Sequence, residues 1–282
     1  MTAKEIVAQV TNLPVIPSAT LKLLQLLENP TENTQAALDV IQTDPVLSAK
    51  LLRLCNSAAI GLRKPVASVG QAVFFLGFSE VQRLALALGI GGSLKRKAKG
   101  SETDGRELWH HSVVTAHASS LIASELSSLE LDSSVAFTAG LLHDIGKLVL
   151  SEALTPEMLA AVCGKMDAGQ SQCDAERAVI GADHAAVGGC LLQAWRMPDV
   201  LIEPVANHHT PVFQPAPGLS VLVHLANCVA HQISVKPGWE VFSTFVNQEA
   251  AAAVGFGAQQ LALILETLGG QMEKVDQFAL AA

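Results

Sequence analysis

The sequence predicts an all-α protein, a multi-helix bundle, and three observations support that fold class. Half of the 282 residues are apolar, yet only 4% are aromatic and tyrosine is absent, so Leu, Ala and Val dominate the predicted core. Such aliphatic side chains favour packed helices over a sandwich of sheets. Helix-capping residues recur before apolar residues spaced three and four apart, and proline or glycine ends these stretches after about ten residues. The chain is long enough for one large domain or two closely packed ones.

Charge and composition argue against several classes of function. The formal net charge of -8 is unlike that of a general nucleic-acid-binding protein, so nucleic acid is not an expected partner. The sequence contains no run of about 18 apolar residues, the length that a membrane span needs. Residues 1–11 lack the basic and apolar regions of a secretory signal. The sequence therefore predicts a soluble cytoplasmic protein without membrane contact.

The five cysteines are scattered along the chain and are never spaced as C-x-x-C. This distribution is typical of reduced thiols that act as small core residues. It does not fit a disulfide framework or a zinc site built from thiolates.

Residues 1–92 are predicted to form an N-terminal lobe of about five or six short helices. Asp44 is predicted to cap a helix that begins with Pro45, because aspartate is favoured at the N-cap and proline at the first helical position. Further helices are predicted after Pro17, after Asn33 or Thr34, after Ser68 and after Ser79, with a turn at Gly77. Residues 68–90 also fit a helix-turn-helix, but Arg83 is the only basic residue there, so core packing is favoured over DNA binding.

A break is predicted at Gly91-Gly92, followed by an exposed basic linker over residues 93–106. Its basic residues fit a solvated loop, or a contact with an anionic partner at low salt. They are Lys95, Arg96, Lys97 and Lys99. Residues 107–235 are then predicted to form a second helical lobe. Residues 236–282 are predicted to add two helices around Gly255-Phe-Gly257 that pack on that lobe.

The second lobe contains an unusual polar cluster in the stretch Ala139-Gly-Leu-Leu-His-Asp-Ile-Gly-Lys147. A single apolar helix over residues 135–150 is predicted, and on it His143, Asp144 and Lys147 share one side. Burying an imidazole, a carboxylate and an ammonium is costly unless they pair with each other or bind a metal. Both interpretations, a self-satisfied polar cluster and a metal site, remain open from these residues alone.

More histidines surround this stretch in the sequence. His111 is predicted to face the core, because apolar residues lie within helical reach of it on one side, whereas His117 is predicted to be exposed. His184 is predicted at the N-terminus of a helix that Asp183 caps. The remaining candidates are His208 and His209, at the end of a helix that follows Pro198, and His224, Asn227 and His231, on one face of a helix over 219–233.

This ordered set resembles the metal-binding residues of the HD superfamily of phosphohydrolases, and more closely those of the HD-related output domain (HDOD) family of bacterial signalling proteins. The resemblance covers roughly residues 10 to 235. The matching features outside the histidines are Leu13-Pro-x-Ile-Pro17, Asp44-Pro45 with Leu51-Leu-Arg-Leu-Cys-Asn-Ser57, Ser68-Val69 with Ala72 and Leu76-Gly77, Leu108-Trp109, and Trp195-x-x-Pro198. The resemblance implies an HD-like helical core preceded by an N-terminal helical lobe.

The resemblance also implies a set of ligands and roles. The implied metal ligands are His111, His143, Asp144, His184, His208, His209 and Asn227. Imidazole and carboxylate donors suit iron, manganese or zinc, as one ion or as two that share Asp144, and the site without metal is a further alternative. Asp144 and Lys147 are the implied catalytic residues, with Lys147 binding a phosphoryl oxygen or orienting a water molecule.

Two departures from the enzymatic pattern are visible. Asn227 stands where HD hydrolases carry an aspartate, so one anionic oxygen is missing. The Gly-Tyr-Pro signature that follows the double histidine in cyclic di-GMP phosphodiesterases is absent as well. Three hypotheses follow: a signalling module that binds a protein partner or a nucleotide and retains a metal site, a working metal-dependent phosphohydrolase in which His224 or solvent compensates for Asn227, and a metal-free helical scaffold.

Overall fold

The all-α prediction is confirmed: in the computed structural model every regular element among the described residues is a helix. The structure describes residues 1–10, 16–28, 33–57, 60–94, 105–214, 216–233 and 246–281. One continuous hydrophobic core extends from Ile6 to Leu268. Among the described residues, no helix combines the length and apolar character that crossing a membrane requires.

Among its described residues, the N-terminal part has six α-helices and a short 3-10 turn over Leu26–Glu28. The helices are α1 (Ala3–Gln9), α2 (Ser18–Gln25), α3 (Thr34–Thr43), α4 (Pro45–Cys55), α5 (Val69–Leu76) and α6 (Phe78–Leu94). The predicted caps of α4 and α5 are confirmed, since the side chain of Asp44 accepts hydrogen bonds from the amides of Val46 and Leu47, and that of Ser68 accepts one from Gln71.

The predicted break at Gly91-Gly92 is wrong, because α6 continues through both glycines to Leu94. Most of α6 from Val81 to Gly91 is buried against neighbouring helices, and this packing outweighs the low helix propensity of glycine. The predicted linker is therefore partly helical at both ends, because Gly105 and Arg106 begin the next helix. Its basic residues, Lys95 to Lys99, lie outside the described residues.

In the described part of the region predicted as the second lobe, eight α-helices follow, with a 3-10 turn over Ser127–Leu129. They are α7 (Gly105–Glu125), α8 (Ser133–Leu142), α9 (Gly146–Ala153), α10 (Pro156–Asp167), α11 (Gln172–Ile180), α12 (His184–Ala194), α13 (Asp199–Asn207) and α14 (Leu219–Gln232). Helix α7 is central, because it packs against α8, α14 and α6. The prediction of a single helix over residues 135–150 is wrong, since α8 ends at Leu142 and α9 begins at Gly146.

The interruption at residues 143–145 redirects the chain so that α9 packs on α12. Within it, the amide of Ile145 donates to the carbonyl of Leu142 over 2.9 Å. This bond joins residues three apart, as in a turn, and not four apart, as in an α-helix. Gly146 makes the contact with α12 feasible, because a Cβ atom there would lie 1.9 Å from the carbonyl oxygen of His184 and 2.6 Å from the amide nitrogen of Gly188. The turn therefore places the buried side chains of residues 143 and 144 where several helices meet.

Two C-terminal helices, α15 (Gln248–Ala253) and α16 (Ala258–Ala281), are joined through Gly255, as predicted. Gly255 has a φ of 67°, a backbone conformation that favours glycine. Helix α16 packs along α7, and α15 contacts α14. The division of the chain into domains at residues 92, 106 and 235 stays a prediction.

Candidate metal centre

The carboxylate of Asp144 lies at the centre of a buried cluster of histidines. Asp144 is 1% exposed. Its Oδ2 atom is 3.3 Å from Nε2 of His143 and 3.7 Å from Nε2 of His111. Its Oδ1 atom is 3.3 Å from Nε2 of His184 and 3.8 Å from Nε2 of His208. Two groups of possible metal ligands therefore share one carboxylate, each through a different oxygen.

Five separate segments supply these side chains. His111 lies in α7, the pair His143-Asp144 in the turn between α8 and α9, and Asn227 in α14. His184 is the first residue of α12, where the side chain of Asp183 caps the helix as predicted by accepting from the amide of Ala186. His208 directly follows α13.

The Nδ1 atoms of three histidines are held by oxygen acceptors. His143 Nδ1 donates to the carbonyl of Gly140 over 2.7 Å, and His208 Nδ1 donates to the carbonyl of Val205 over 2.8 Å. His184 Nδ1 donates to a carboxylate oxygen of Glu176 over 2.7 Å. Because these oxygens only accept, each Nδ1 carries the hydrogen, and the Nε2 of a neutral ring presents a lone pair to Asp144.

Several of the atoms that face each other in the cluster have no hydrogen-bond partner. They are Nε2 of His143, Nε2 of His208 and Oδ1 of Asp144, all buried. Lone pairs that converge in a buried space without a donor are unfavourable, since each lost hydrogen bond costs about 1–3 kcal/mol. A divalent cation is the group that several converging lone pairs and one carboxylate would satisfy. The residues present thus fit a transition-metal site.

The charges in the cluster favour the protonation states that bind metals. Burial alone would raise the pKa of Asp144, but the surrounding histidines and Lys147 outweigh it and hold the pKa well below its usual value. Burial lowers the pKa values of His111 and His208 well below 6.5. Burial and His184 lower the pKa of His209 to about 3. The carboxylate is thus ionised while these imidazoles are neutral, as metal ligands must be.

The remaining predicted site residues also lie in this cluster. Lys147 Nζ donates to Oδ2 of Asp144 over 2.7 Å. His209 Nε2 is 3.0 Å from Nε2 of His184, and Oδ1 of Asn227 is 2.9 Å from Nε2 of His111. All eight predicted residues are therefore brought together, and their roles as ligands or catalytic groups stay predictions.

The prediction that His117 is exposed is wrong. Its ring packs edge-on against Phe137, with the ring centroids 5.3 Å apart, because α8 covers this side of α7. Burial lowers its pKa to about 4. His117 belongs to the helix packing and lies outside the cluster around Asp144.

His224 supports the cluster without facing it. Its Nδ1 donates to the carbonyl of His208 over 2.8 Å, and its Nε2 accepts from the amide of Asn247 over 2.9 Å. Because both ring nitrogens are occupied, His224 does not replace the oxygen that Asn227 lacks. His231 lies closer to the cluster, with its ring 4.4 Å from that of His111.

Two residues near the cluster are absent from the sequence prediction. Glu176 is 3% exposed and accepts from both Nδ1 and the backbone amide of His184. Cys173 is buried, with its sulfur close to His184 and His209. Neither belongs to a recognisable motif, although a glutamate among the buried positions of α11 is a signal that could have identified Glu176.

An all-helical core with a His-Asp pair at its centre defines an HD-like domain. The model of the HDOD domain family matches residues 13–211, well over half of the chain, and the protein therefore belongs to the HDOD domain family.

Relatives and solved structures agree with this assignment. An uncharacterised protein of Treponema pallidum (strain Nichols) is 27% identical over 216 residues, which is 73% of this chain and 39% of that protein. The chain thus spans well under half of this relative's length. The fold is similar to that of an HDOD domain protein of unknown function from Geobacter sulfurreducens, with a TM-score of 0.77, 22% identity, and coverage of 98% of this chain and 95% of that one.

A protein of Shewanella amazonensis SB2B that is provisionally named a phosphohydrolase has the same fold. It gives a TM-score of 0.75 at 24% identity, with coverage of 98% of this chain and 97% of that chain. At these identities the two structural similarities establish the fold alone.

Proposed function

We propose that this protein is a signalling output module of the HDOD type that holds one or two divalent transition-metal ions around Asp144. The observation that carries the proposal is the set of buried, unpartnered lone pairs on His143, His208 and Asp144. A metal-free scaffold would need buried water or an added proton to satisfy these atoms. Iron, manganese and zinc are the ions that suit such imidazole and carboxylate donors.

The chain offers two ligand groups. The first consists of His111, His143, Oδ2 of Asp144 and the amide oxygen of Asn227. The second consists of Oδ1 of Asp144, His184, His208 and His209. Glu176 orients His184, because it accepts from the ring nitrogen that faces away from Asp144.

A nucleotide is the small-molecule ligand that this site favours. The side chain of Lys147 is 23% exposed and contacts Asp144, so its ammonium group lies between the cluster and solvent. An anionic phosphate that approaches from solvent would meet this charge and the partly exposed ring of His111. In a signalling module such a ligand would be bound rather than consumed, since Asn227 supplies no negative charge.

A protein partner has separate support far from the cluster. Phe74 is 83% exposed and Phe75 is 52% exposed, and both lie on α5 in the N-terminal part. Their rings make an edge-to-face contact with centroids 5.2 Å apart. Adjacent exposed aromatic side chains are typical of surfaces that bind other proteins.

Metal analysis of untagged protein tests the proposal. We expect about one or two equivalents of a transition metal in the wild-type protein and a lower metal content in His111→Ala. His110→Ala is the matched control, because the neighbouring His110 pairs with Asp276 at the surface. A wild-type protein with less than about a tenth of an equivalent of any transition metal would favour the metal-free scaffold instead.

A second candidate function, a metal-dependent phosphohydrolase, is favoured by the position of Lys147 beside the shared carboxylate. Bound metal would act as a Lewis acid toward a phosphate and make water a better nucleophile. Lys147 would hold a phosphoryl oxygen, and Asp144 would help to hold the metal together with the surrounding imidazoles.

Turnover separates the two candidates. For a hydrolase, a generic phosphodiester should be hydrolysed in the presence of manganese, and both Asp144→Ala and Lys147→Ala should remove that activity. Nucleotide binding without turnover supports the signalling module. Activity that survives Asp144→Ala would come from elsewhere.

A further inference from the structure

A third group of metal-ligating atoms lies beside the cluster. The sulfur of Cys173, one nitrogen of His184 and one nitrogen of His209 all lie within 4.8 Å of one another. Cys173 is 5% exposed, in the first turn of α11, and its thiol makes no hydrogen bond to the described residues. An unpartnered buried thiol thus stands next to two imidazoles.

We infer that Cys173, His184 and His209 form a second, thiol-containing metal position, selective for thiophilic ions such as Zn²⁺ or Cd²⁺, that competes with the Asp144 position for His184. The competition rests on the proposed function, because His184 belongs to both groups. The position would let a soft ion exclude the metal that the Asp144, His184 and His208 group holds.

The competition follows from the bonding of one ring. His184 Nδ1 carries a hydrogen that it donates to Glu176, so only Nε2 has a lone pair to give, and one lone pair binds one ion. His209 Nε2 is already 3.0 Å from that atom. Two nitrogens bound at about 2.1 Å to the same tetrahedral ion lie roughly 3.4 Å apart, so only a small outward movement of the two rings would be needed.

The selectivity follows from the thiol. Thiolate ligands favour zinc and other soft ions over manganese or magnesium, which prefer oxygen. A cysteine thiol without metal is ordinarily protonated at neutral pH. When a metal ion binds, the S–H bond breaks, a sulfur–metal bond forms and one proton leaves to solvent. A hard ion gains too little from sulfur to displace that proton.

Cobalt(II) added to the metal-free, untagged full chain tests the inference, because cobalt bound to a thiolate has an intense near-ultraviolet charge-transfer band. We expect this band in the wild-type protein and in Cys190→Ser, which changes another cysteine outside the group. Cys173→Ser and Cys173→Ala should both lack the band but keep the weaker visible bands of cobalt bound to nitrogen and oxygen.

The outcomes separate this inference from the proposed function. Visible cobalt bands without a charge-transfer band in the wild-type protein would overturn the thiol position and leave the Asp144 site intact. A charge-transfer band that persists in both Cys173 variants would also overturn it. A charge-transfer band in Asp144→Ala supports the thiol position even if no metal binds at Asp144, whereas absence of all cobalt bands would overturn both proposals.

The competition has its own test in protein saturated with manganese. His208→Ala weakens only the Asp144 position, so we expect the charge-transfer band to appear at a lower cobalt concentration in this variant than in the wild-type protein. Equal midpoints in the two proteins would mean that the positions are independent, and the competition would then be rejected.

Discussion

The two oxygens of the Asp144 carboxylate face different surroundings. On the Oδ1 side, His184 and His208 are fully buried, and a carboxylate or a carbonyl fixes each ring. On the Oδ2 side, His111 is 18% exposed and Lys147 is 23% exposed. We refer to these as the closed side and the open side.

This difference indicates that the two sides of the centre have different functions. The closed side has preorganised donors that need little rearrangement to hold a cation. The open side has a neutral amide, Asn227, where a carboxylate would bind more strongly, and it has access to solvent. We therefore expect the closed side to bind metal more tightly and the open side to meet the phosphate ligand.

The largest expected effect is the loss of metal affinity when a ligand of the closed side is removed. His184→Ala should weaken metal binding by roughly 100-fold or more, because even outer partners of metal ligands contribute about 10- to 100-fold. Asn227→Ala should weaken it by less than about tenfold, since a neutral amide is a weak ligand. Competition with a fluorescent chelator measures both. Equal losses in the two variants would contradict the distinction between the sides.

The closed side also depends on the approach of α9 to α12. Gly146→Ala places a Cβ atom 1.9 Å from the carbonyl oxygen of His184, so we expect a loss of about 1–3 kcal/mol in the free energy of unfolding. Gly164→Ala is the matched control, because it lies in the helix α10 with no atom within 4 Å of the added Cβ. That control should stabilise the protein by up to about 1 kcal/mol. Similar urea midpoints for both variants would argue against the tight contact.

The stability of the metal-free protein should depend on pH through the buried imidazoles. The pKa of His208 is lowered well below 6.5 in the folded state, so the unfolded chain binds more protons whenever the pH lies below 6.5 and above the folded pKa. The free energy of unfolding should therefore fall as the pH drops from 6.5, by up to about 1.4 kcal/mol per pH unit for each such histidine. Urea unfolding at several pH values measures this slope.

His208→Gln should make the slope shallower, because one of the titrating groups is lost. A free energy of unfolding that rises as the pH falls from 6.5 would be opposite to the expected sign.

The smallest expected effect comes from a substitution that gives the open side an anionic ligand. Asn227→Asp adds an anionic oxygen near His111, and we expect metal on the open side to bind about tenfold more tightly, which corresponds to roughly 1.4 kcal/mol. His231→Gln, which changes a ring stacked on His111, is the control and should leave metal affinity nearly unchanged. Calorimetric titration with manganese would measure the metal affinity of both variants. Weaker binding by Asn227→Asp would mean that the open side does not hold a cation.

Local features of the chain predicted most of the helices. Asp44, Ser68 and Asp183 cap helices where the sequence indicates caps, because a side-chain oxygen near free amides is a local signal. The order of the histidines and their resemblance to the HDOD family identified Asp144 and seven of the residues around it, but not Glu176 or Cys173. The errors occurred where packing between distant segments overrides local preference: the continuous α6 at Gly91-Gly92, the break between α8 and α9, and the partly buried His117.

The sequence by itself determined the helical class, several helix caps and most of the metal-ligating side chains, since capping and apolar periodicity act within a few residues. Only the tertiary structure decided how those donors meet. The turn at His143-Asp144 exists because Gly146 lets α9 lie against α12, and that contact brings His184 to the carboxylate. Glu176 and Cys173 joined the cluster for the same reason: their proximity to His184 depends on how α11 and α12 pack, which is not encoded by any local pattern.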